Sequence, residues 1–232
     1  MKFAIIAAGE GSRLAKEGVN KPKPLIELQG VPIVERLVKI FARNNASSIC
    51  IIINSRQPST LALLEKLKKS YPIEIVVKDT ESSMHSLYAL SPLLQGDRFC
   101  LTTVDTLFDE EEFTAYIKKF QAGDCDGMMA VTDFVDDEKP LYVETDENLF
   151  ITDFCDSAKP GTKYISGGIY GLTPLALDIL QKCIDEGVER MRNFQRRLVK
   201  EGLRLKACPL GKILDIDHAE DISKAEEFLS SK

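Results

Sequence analysis

Strand-like and helix-like stretches alternate through residues 1–130, and this alternation limits the fold more than any other feature of the chain. Residues 2–7, Lys2-Phe3-Ala4-Ile5-Ile6-Ala7, are an apolar run ending in glycines, as a buried strand does. Ile33, Val34, Leu37, Val38 and Phe41 then share one helix face, and Asn44-Asn45 is a stop signal. A second strand-like run covers 48–53. Leu61, Leu64 and Leu67 mark a helix that ends before Pro72. Residues 73–77 predict a third strand, 83–94 a third helix, 98–104 a fourth strand and 110–121 a fourth helix. Helices between successive strands are the crossovers that parallel pairing needs.

After residue 130 the texture changes. Residues 128–132, 141–145, 149–154 and 164–172 are strand-like and closely spaced, which suggests antiparallel pairing added to the sheet. Residues 174–184 and 190–200 read as helices, and 203–207 and 212–216 as short strands. Residues 219–230 form a closing helix with Ile222, Ala225, Phe228 and Leu229 on one face. The expected class is α/β: a Rossmann-like three-layer sandwich with a mostly parallel central sheet plus a small antiparallel portion. No repeat, low-complexity tract or linker interrupts it, so 1–232 reads as a single domain.

Several function classes are disfavoured. The net charge of −6 argues against a nucleic-acid partner held by a broad basic surface. No apolar run is long enough for a membrane span, and the short apolar start does not read as a signal peptide, so a cytoplasmic location is expected. The six cysteines form no C-x-x-C pair and read as reduced thiols. With two histidines, a His-rich zinc site is not expected. Charge is uneven along the chain: 1–30 is basic and 213–232 acidic, which suits a metal-bound polyphosphate better than a polyanionic polymer.

In such sheets ligands bind at the C-terminal strand ends. The first strand ends in Ala7-Ala8-Gly9-Glu10-Gly11-Ser12-Arg13-Leu14. The dinucleotide fingerprint lacks its third glycine here, and the P-loop pattern is absent. Ala8, Gly9, Gly11 and Ser12 suit a loop whose backbone meets phosphate oxygens, and Arg13 adds a permanent, forked charge. For the glycines alone, a plain tight turn is an equal reading. Lys23 stands between Pro22 and Pro24, which restrict its backbone, an odd choice for a merely solvated loop.

Here the chain resembles the sugar-phosphate nucleotidyltransferases, the nucleoside-diphosphate-sugar pyrophosphorylases. Their signature A-x-G-x-G-[ST]-R-[LM], then K-P-[KL]-x, is matched by residues 7–14 and by Lys23-Pro24-Leu25-Ile26. The spacer Ala15-Lys16-Glu17-Gly18 departs from the proline and threonine that many members carry, and leaves the subfamily open. Asp105 ends the fourth strand, where a metal can bridge protein and phosphate; its alternative is an N-cap, which Asp109 can supply instead. The resemblance makes Asp105 the family's strand-end aspartate. Asp215-Ile216-Asp217-His218-Ala219-Glu220-Asp221-Ile222 resembles the closing D-x-D-[TH]-x-E-D-[LI], with Asp217 the second metal ligand and Asp215 its alternative. Glu220, Asp221 and His218 read as helix-start and capping residues.

The same resemblance carries Lys159 and Gly168 to the acceptor side, from Ala158-Lys159-Pro160 and Gly167-Gly168-Ile169-Tyr170, with Ala158 where an acid is usual. It places nucleobase contacts near 81–89, where Ser83 and Ser86 either meet a base edge or cap a helix. The basic stretch 190–197 has no family counterpart; it reads as a solvated helix face, with a subunit contact in a homo-oligomer or an acceptor-side lid as alternatives. Residues 1–130 then serve as a nucleotide-binding half and 131–232 as an acceptor-binding half.

The resemblance implies Mg²⁺-dependent transfer of a nucleoside monophosphate from a nucleoside triphosphate to a phosphorylated sugar or small alcohol. Pyrophosphate leaves, Arg13 and Lys23 steady the phosphates, and Asp105 and Asp217 hold the metal. Three rivals stand beside it. A glycosyltransferase using a nucleotide sugar has no need of the Arg13 and Lys23 pair. A molybdopterin-type nucleotide transferase tends to carry more glycines in its loop. The last is a nucleotide-binding regulatory module without turnover.

Overall fold

The computed structural model of the chain describes residues 1–135 and 139–231. In chain order it opens with β1 (Lys2–Ala7), the short helix α1 (Ser12–Lys16), a 3-10 turn at Lys23–Leu25, and the two-residue strands β2 (Glu27–Leu28) and β3 (Val31–Pro32). Next come α2 (Ile33–Arg43), β4 (Ser48–Ile53), α3 (Pro58–Leu67), β5 (Ile73–Val77) and α4 (Ser83–Leu94). The middle holds β6 (Phe99–Thr103), β7 (Thr106–Leu107), α5 (Glu110–Ala122), β8 (Gly127–Thr132), β9 (Tyr142–Thr145) and β10 (Ile151–Cys155). The chain closes with β11 (Tyr164–Leu172), α6 (Leu175–Asp185), α7 (Met191–Lys200), β12 (Leu205–Pro209), β13 (Leu214–Asp215) and α8 (Ala219–Ser230).

The expected architecture holds. β5, β4, β1 and β6 lie side by side and parallel, linked by helices. β11 enters beside β6 running the other way. Beyond it the pairing of β8 and β9 with β11, and of β10 with β9, is antiparallel, while β12 runs parallel to β8. Period-two alternation explains the layers. In β1, Phe3, Ile5 and Ala7 face one core, with α2, α3, α5 and α8. Ala4 and Ile6 face the other, with α4, α6 and α7.

Packing then positions the strand ends. Phe3 stacks on Phe41 of α2 at 4.5 Å between ring centroids, and Phe113 of α5 lies 5.6 Å from Phe41. Phe108 stacks on Phe113 at 4.6 Å, pinning the segment just after Asp105. Each such pair adds about 0.5–1.5 kcal/mol beyond its buried area. Asp109 accepts from the Glu112 N–H and caps α5, which leaves Asp105 free of that duty.

Four short elements have no counterpart in the sequence reading: α1, the β2–β3 hairpin and β7. Five residues, or two, are too few for an apolar period to show. The expected strand 212–216 shrinks to β13, which pairs with β7 rather than with the main sheet. The expected strand 203–207 is shifted to Leu205–Pro209 because its partners run from Gly127 to Val131 of β8.

Candidate active site

The glycine loop leaves the C-terminal end of β1 and is fastened by the chain that follows β4. Asn54 Nδ2 donates to the Ala8 carbonyl at 3.0 Å, and Gln57 Nε2 to the Gly9 carbonyl at 3.1 Å. Both side chains are buried, so the loop's carbonyls are spent inward. The first N–H groups of α1, from Ser12 on, have no partner within the helix. Gly11 has φ +63°, a backbone that side chains rarely adopt, and a Cβ there would stand 3.4 Å from the Lys23 Cβ. The turn is therefore what calls for glycine, since a Cβ would still fit in contact with Lys23.

Lys23 opens the 3-10 turn, with the Leu25 N–H donating to the Pro22 carbonyl at 2.8 Å. Its ammonium donates to Asp105 Oδ2 and, at 2.6 Å, to Asp217 Oδ1. Arg13 Nη1 reaches the other Asp217 oxygen at 3.0 Å. Burial opposes the Lys23 charge, but Asp105 and Asp217 outweigh it and hold the ammonium above its ordinary pKa. The distant carboxylates meet because β13 pairs antiparallel with β7, Asp215 opposite Thr106. The Ile216 N–H also donates to the Asp105 carbonyl at 3.2 Å.

Asp215 lines a groove and is open to water, yet protein crowds it on the other sides. That enclosure disfavours its charge, the carboxylates of Asp105 and Asp217 add repulsion, and its pKa rises to about 7.

These residues suit a divalent cation carried in with a polyphosphate. Asp105 Oδ1 is buried and has no hydrogen-bond partner. Two carboxylates converge on one cationic point, now taken by the Lys23 ammonium. Among the described residues no group of three or more His, Cys, Asp or Glu forms a ready cage. Hard oxygen donors from one or two carboxylates, completed by substrate phosphates, are the usual Mg²⁺ arrangement.

An open cavity of about 520 Å³ spreads from these groups, lined by residues 6–14, Lys23, Asp105 and Asp217 on one side. Its far side is Thr80, Glu81, Ser82, Ser83 and Ser86, at the start of α4. The cavity is ample for a nucleotide. Ser86 is almost fully buried and shares a 2.6 Å hydrogen bond with Thr80, so its hydroxyl serves the wall. Ser83 is partly open.

Arg13 and Asp217 also line a second groove of about 280 Å³, with Lys139, Ser166, Gly167, Asp215 and Lys224 among its walls. Gly168 stands beside it, with φ +72°, where the register of β11 against β8 shifts between Ser166 and Tyr170. A Cβ there would meet Thr106 Oγ1 at 3.2 Å. Lys159 is not brought to either cavity: it is exposed, 3.4 Å from Asp153, on the loop between β10 and β11. The arginines of 190–197 are largely tied within the molecule. Arg192 and Arg196 each lie 2.7 Å from Asp156, and Arg197 bonds Glu186 and Glu201.

The two residues that fasten the glycine loop went unread in the sequence. Asn54 and Gln57 belong to a polar stretch after an apolar run, which signals a loop and nothing more. Their signal is positional, since they follow the strand next to β1.

A glycine loop and an aspartate at the ends of parallel strands, met by two cations and a second aspartate, define a phosphate-handling α/β protein. The chain belongs to the family of the MobA-like NTP transferase domain, which it matches over residues 3–152. It is 26% identical to a 2-aminoethylphosphonate cytidylyltransferase of Lancefieldella rimae, over 46% of this chain and 44% of that one. It is 22% identical to the UTP–glucose-1-phosphate uridylyltransferase AglF of Haloferax volcanii, over 100% of this chain and 98% of that one. The chain spans about half the length of several other curated relatives, 55% in the bifunctional GlmU proteins of Methanococcus maripaludis. The solved inositol-1-phosphate CTP transferase from T. maritima superposes with a TM-score of 0.81 at 20% identity, covering 99% of this chain and 94% of that one. That likeness establishes the nucleotide-diphospho-sugar transferase type of fold.

Proposed function

We propose that the protein is a nucleotidyltransferase that moves a nucleoside monophosphate from a nucleoside triphosphate to a phosphorylated small molecule, releasing pyrophosphate. The carrying observation is the meeting of Lys23 and Arg13 with Asp105 and Asp217 beside the glycine loop. An acceptor phosphate is already an anionic nucleophile, so the site needs no Ser-His-Asp set and no covalent enzyme intermediate. Catalysis rests on position and charge. In this reading the loop from Ala8 to Ser12 and Arg13 hold the β- and γ-phosphates. Lys23 leaves its two carboxylates for the α-phosphate, where charge grows. Asp105 and Asp217 would hold Mg²⁺, which supplies neutralisation of that charge when bound.

Ser83 and Ser82 face the space for the base, and the groove behind Arg13 and Gly168 takes the acceptor. The acceptor is a sugar phosphate or a small alcohol phosphate; relatives named for glucose-1-phosphate and choline-phosphate support the two classes, and the one named for 2-aminoethylphosphonate adds a small phosphonate of similar charge. A nucleotide-sugar glycosyltransferase leaves the Arg13 and Lys23 pair without a task. A cytosolic location belongs to the same reading, supported by six unpaired cysteines. Among the described residues no helix is long and apolar enough to cross a membrane.

The test is a pyrophosphate-release screen with Mg²⁺, pairing the five common nucleoside triphosphates with phosphorylated sugars and alcohols. Release with at least one pair, abolished by EDTA, is expected. Silence with every pair overturns the proposal in favour of a binding module without turnover.

A further inference from the structure

The Asp217 carboxylate is fixed by Lys23 and Arg13, but its backbone needs holding too, because it lies in the short link between β13 and α8. On the N-terminal side, the Ile216 N–H donates to the Asp105 carbonyl. On the C-terminal side, the N–H groups of Asp217 and His218 donate to Asp221 Oδ2 at 3.1 and 2.8 Å, a tie within the helix itself. The tie to another element comes from Glu17. Its Oε2 accepts from the Ala219 N–H at 2.7 Å, and its Oε1 stands 2.6 Å from His218 Nδ1.

Glu17 directly follows α1, and Arg13 lies four residues earlier, one helical turn back on the same face. The Glu17 N–H donates to the Arg13 carbonyl at 3.1 Å, so the two are rigidly spaced. α1 therefore grips the Asp217 link twice: Arg13 on the carboxylate, Glu17 on the backbone two residues on. Glu17 also falls in the spacer 15–18, where this chain departs from the family pattern.

We propose that Glu17 is a positioning residue that sets Asp217 against Asp105 and locks the glycine-loop helix to the cation-holding link. The inference rests on the proposed function for its meaning, while its geometry is independent of it. A side chain acting through a ligand's own support typically changes metal affinity or activity by about 10- to 100-fold. A plain surface staple would change stability alone.

The test uses the full chain with Glu17→Ala, Glu17→Gln and Asp217→Asn. Mn²⁺ is titrated in the presence of inorganic triphosphate with water-proton relaxation as readout, and amide hydrogen exchange is followed at Asp217, His218 and Ala219. Glu17→Ala is expected to weaken Mn²⁺ by about 10-fold, to speed exchange at Asp217 and His218 as well as Ala219, and to leave the global unfolding transition nearly unmoved. Glu17→Gln keeps an oxygen for the Ala219 N–H and is expected to restore most of the Mn²⁺ affinity. Asp217→Asn marks the floor. Wild-type Mn²⁺ affinity in Glu17→Ala, or faster exchange at Ala219 only, overturns the inference. If the wild type adds nothing to the Mn²⁺–triphosphate signal, the metal part of the proposed function fails, and exchange at Asp217 and His218 alone decides for or against Glu17.

Discussion

The two halves of the molecule handle motif residues differently. In the parallel half every strand of the set β1, β4, β5 and β6 runs the same way, so all its C-terminal ends share one edge. The glycine loop after β1, the ties after β4 and Asp105 after β6 therefore converge, though they lie far apart in sequence. In the second half, β8 to β11 pair mostly antiparallel, and successive connections fall at opposite edges. Gly167 lines the groove and Gly168 stands beside it, at a register shift inside β11, whereas Lys159 stays on an outer loop. A motif residue after a parallel strand has its location set by topology; one in a meander does not.

The contrast can be broken by measurement. The largest loss belongs to the parallel edge: Arg13→Ala or Asp105→Asn is expected to cut pyrophosphate release about 100- to 1000-fold while the fold stays intact by circular dichroism. Near-normal turnover in both variants would remove these residues from the site. Next, Asn54→Ala deprives the Ala8 carbonyl of its buried donor, and urea denaturation is expected to show a loss of about 1–3 kcal/mol. An unchanged midpoint would mean that the loop is held by other means.

Asp215 gives a smaller effect with a defined sign. Its folded pKa of about 7 lies above the ordinary 3.8, so the folded state is the one that favours its proton. Stability contributed by that site is complete below about pH 4 and drains away as pH rises toward 7. In metal-free protein, Asp215→Asn is expected to raise the thermal midpoint at pH 8, with the gain shrinking as pH falls toward 4. A gain equal at both pH values would deny the shift. Least affected is Lys159→Ala, since an exposed ion pair is worth about 0–1 kcal/mol and the residue lines neither cavity. Its kcat/KM for the acceptor is expected to stay within about two-fold of the parent. A loss on the scale of Arg13→Ala would erase the difference between the halves.

What could be read beforehand follows the same divide. β1, β4, β5 and α4 match their expected bounds: β1 and β4 are buried on both faces and leave an unbroken apolar run, while β5, half-exposed at the sheet edge, is still rich in β-branched residues. Arg13, Lys23, Asp105 and Asp217 stood out through the resemblance, and the structure brings those four together. The β7–β13 pair that joins them is two residues on each side, below any period. Asn54, Gln57 and Glu17 were hidden for another reason. Each acts through hydrogen bonds to backbone, and backbone partners leave no trace in residue identity.

The β7–β13 pair also sets an order of events. Arg13 and Asp217 are separated by 204 positions, so a chain leaving the ribosome exposes its glycine loop long before the second carboxylate exists. Until β13 docks on β7, Asp105 and Lys23 can meet only each other. Under the proposed function, the site is complete only once the segment carrying Asp217 pairs with β7, so a growing chain holds the glycine loop without its second carboxylate.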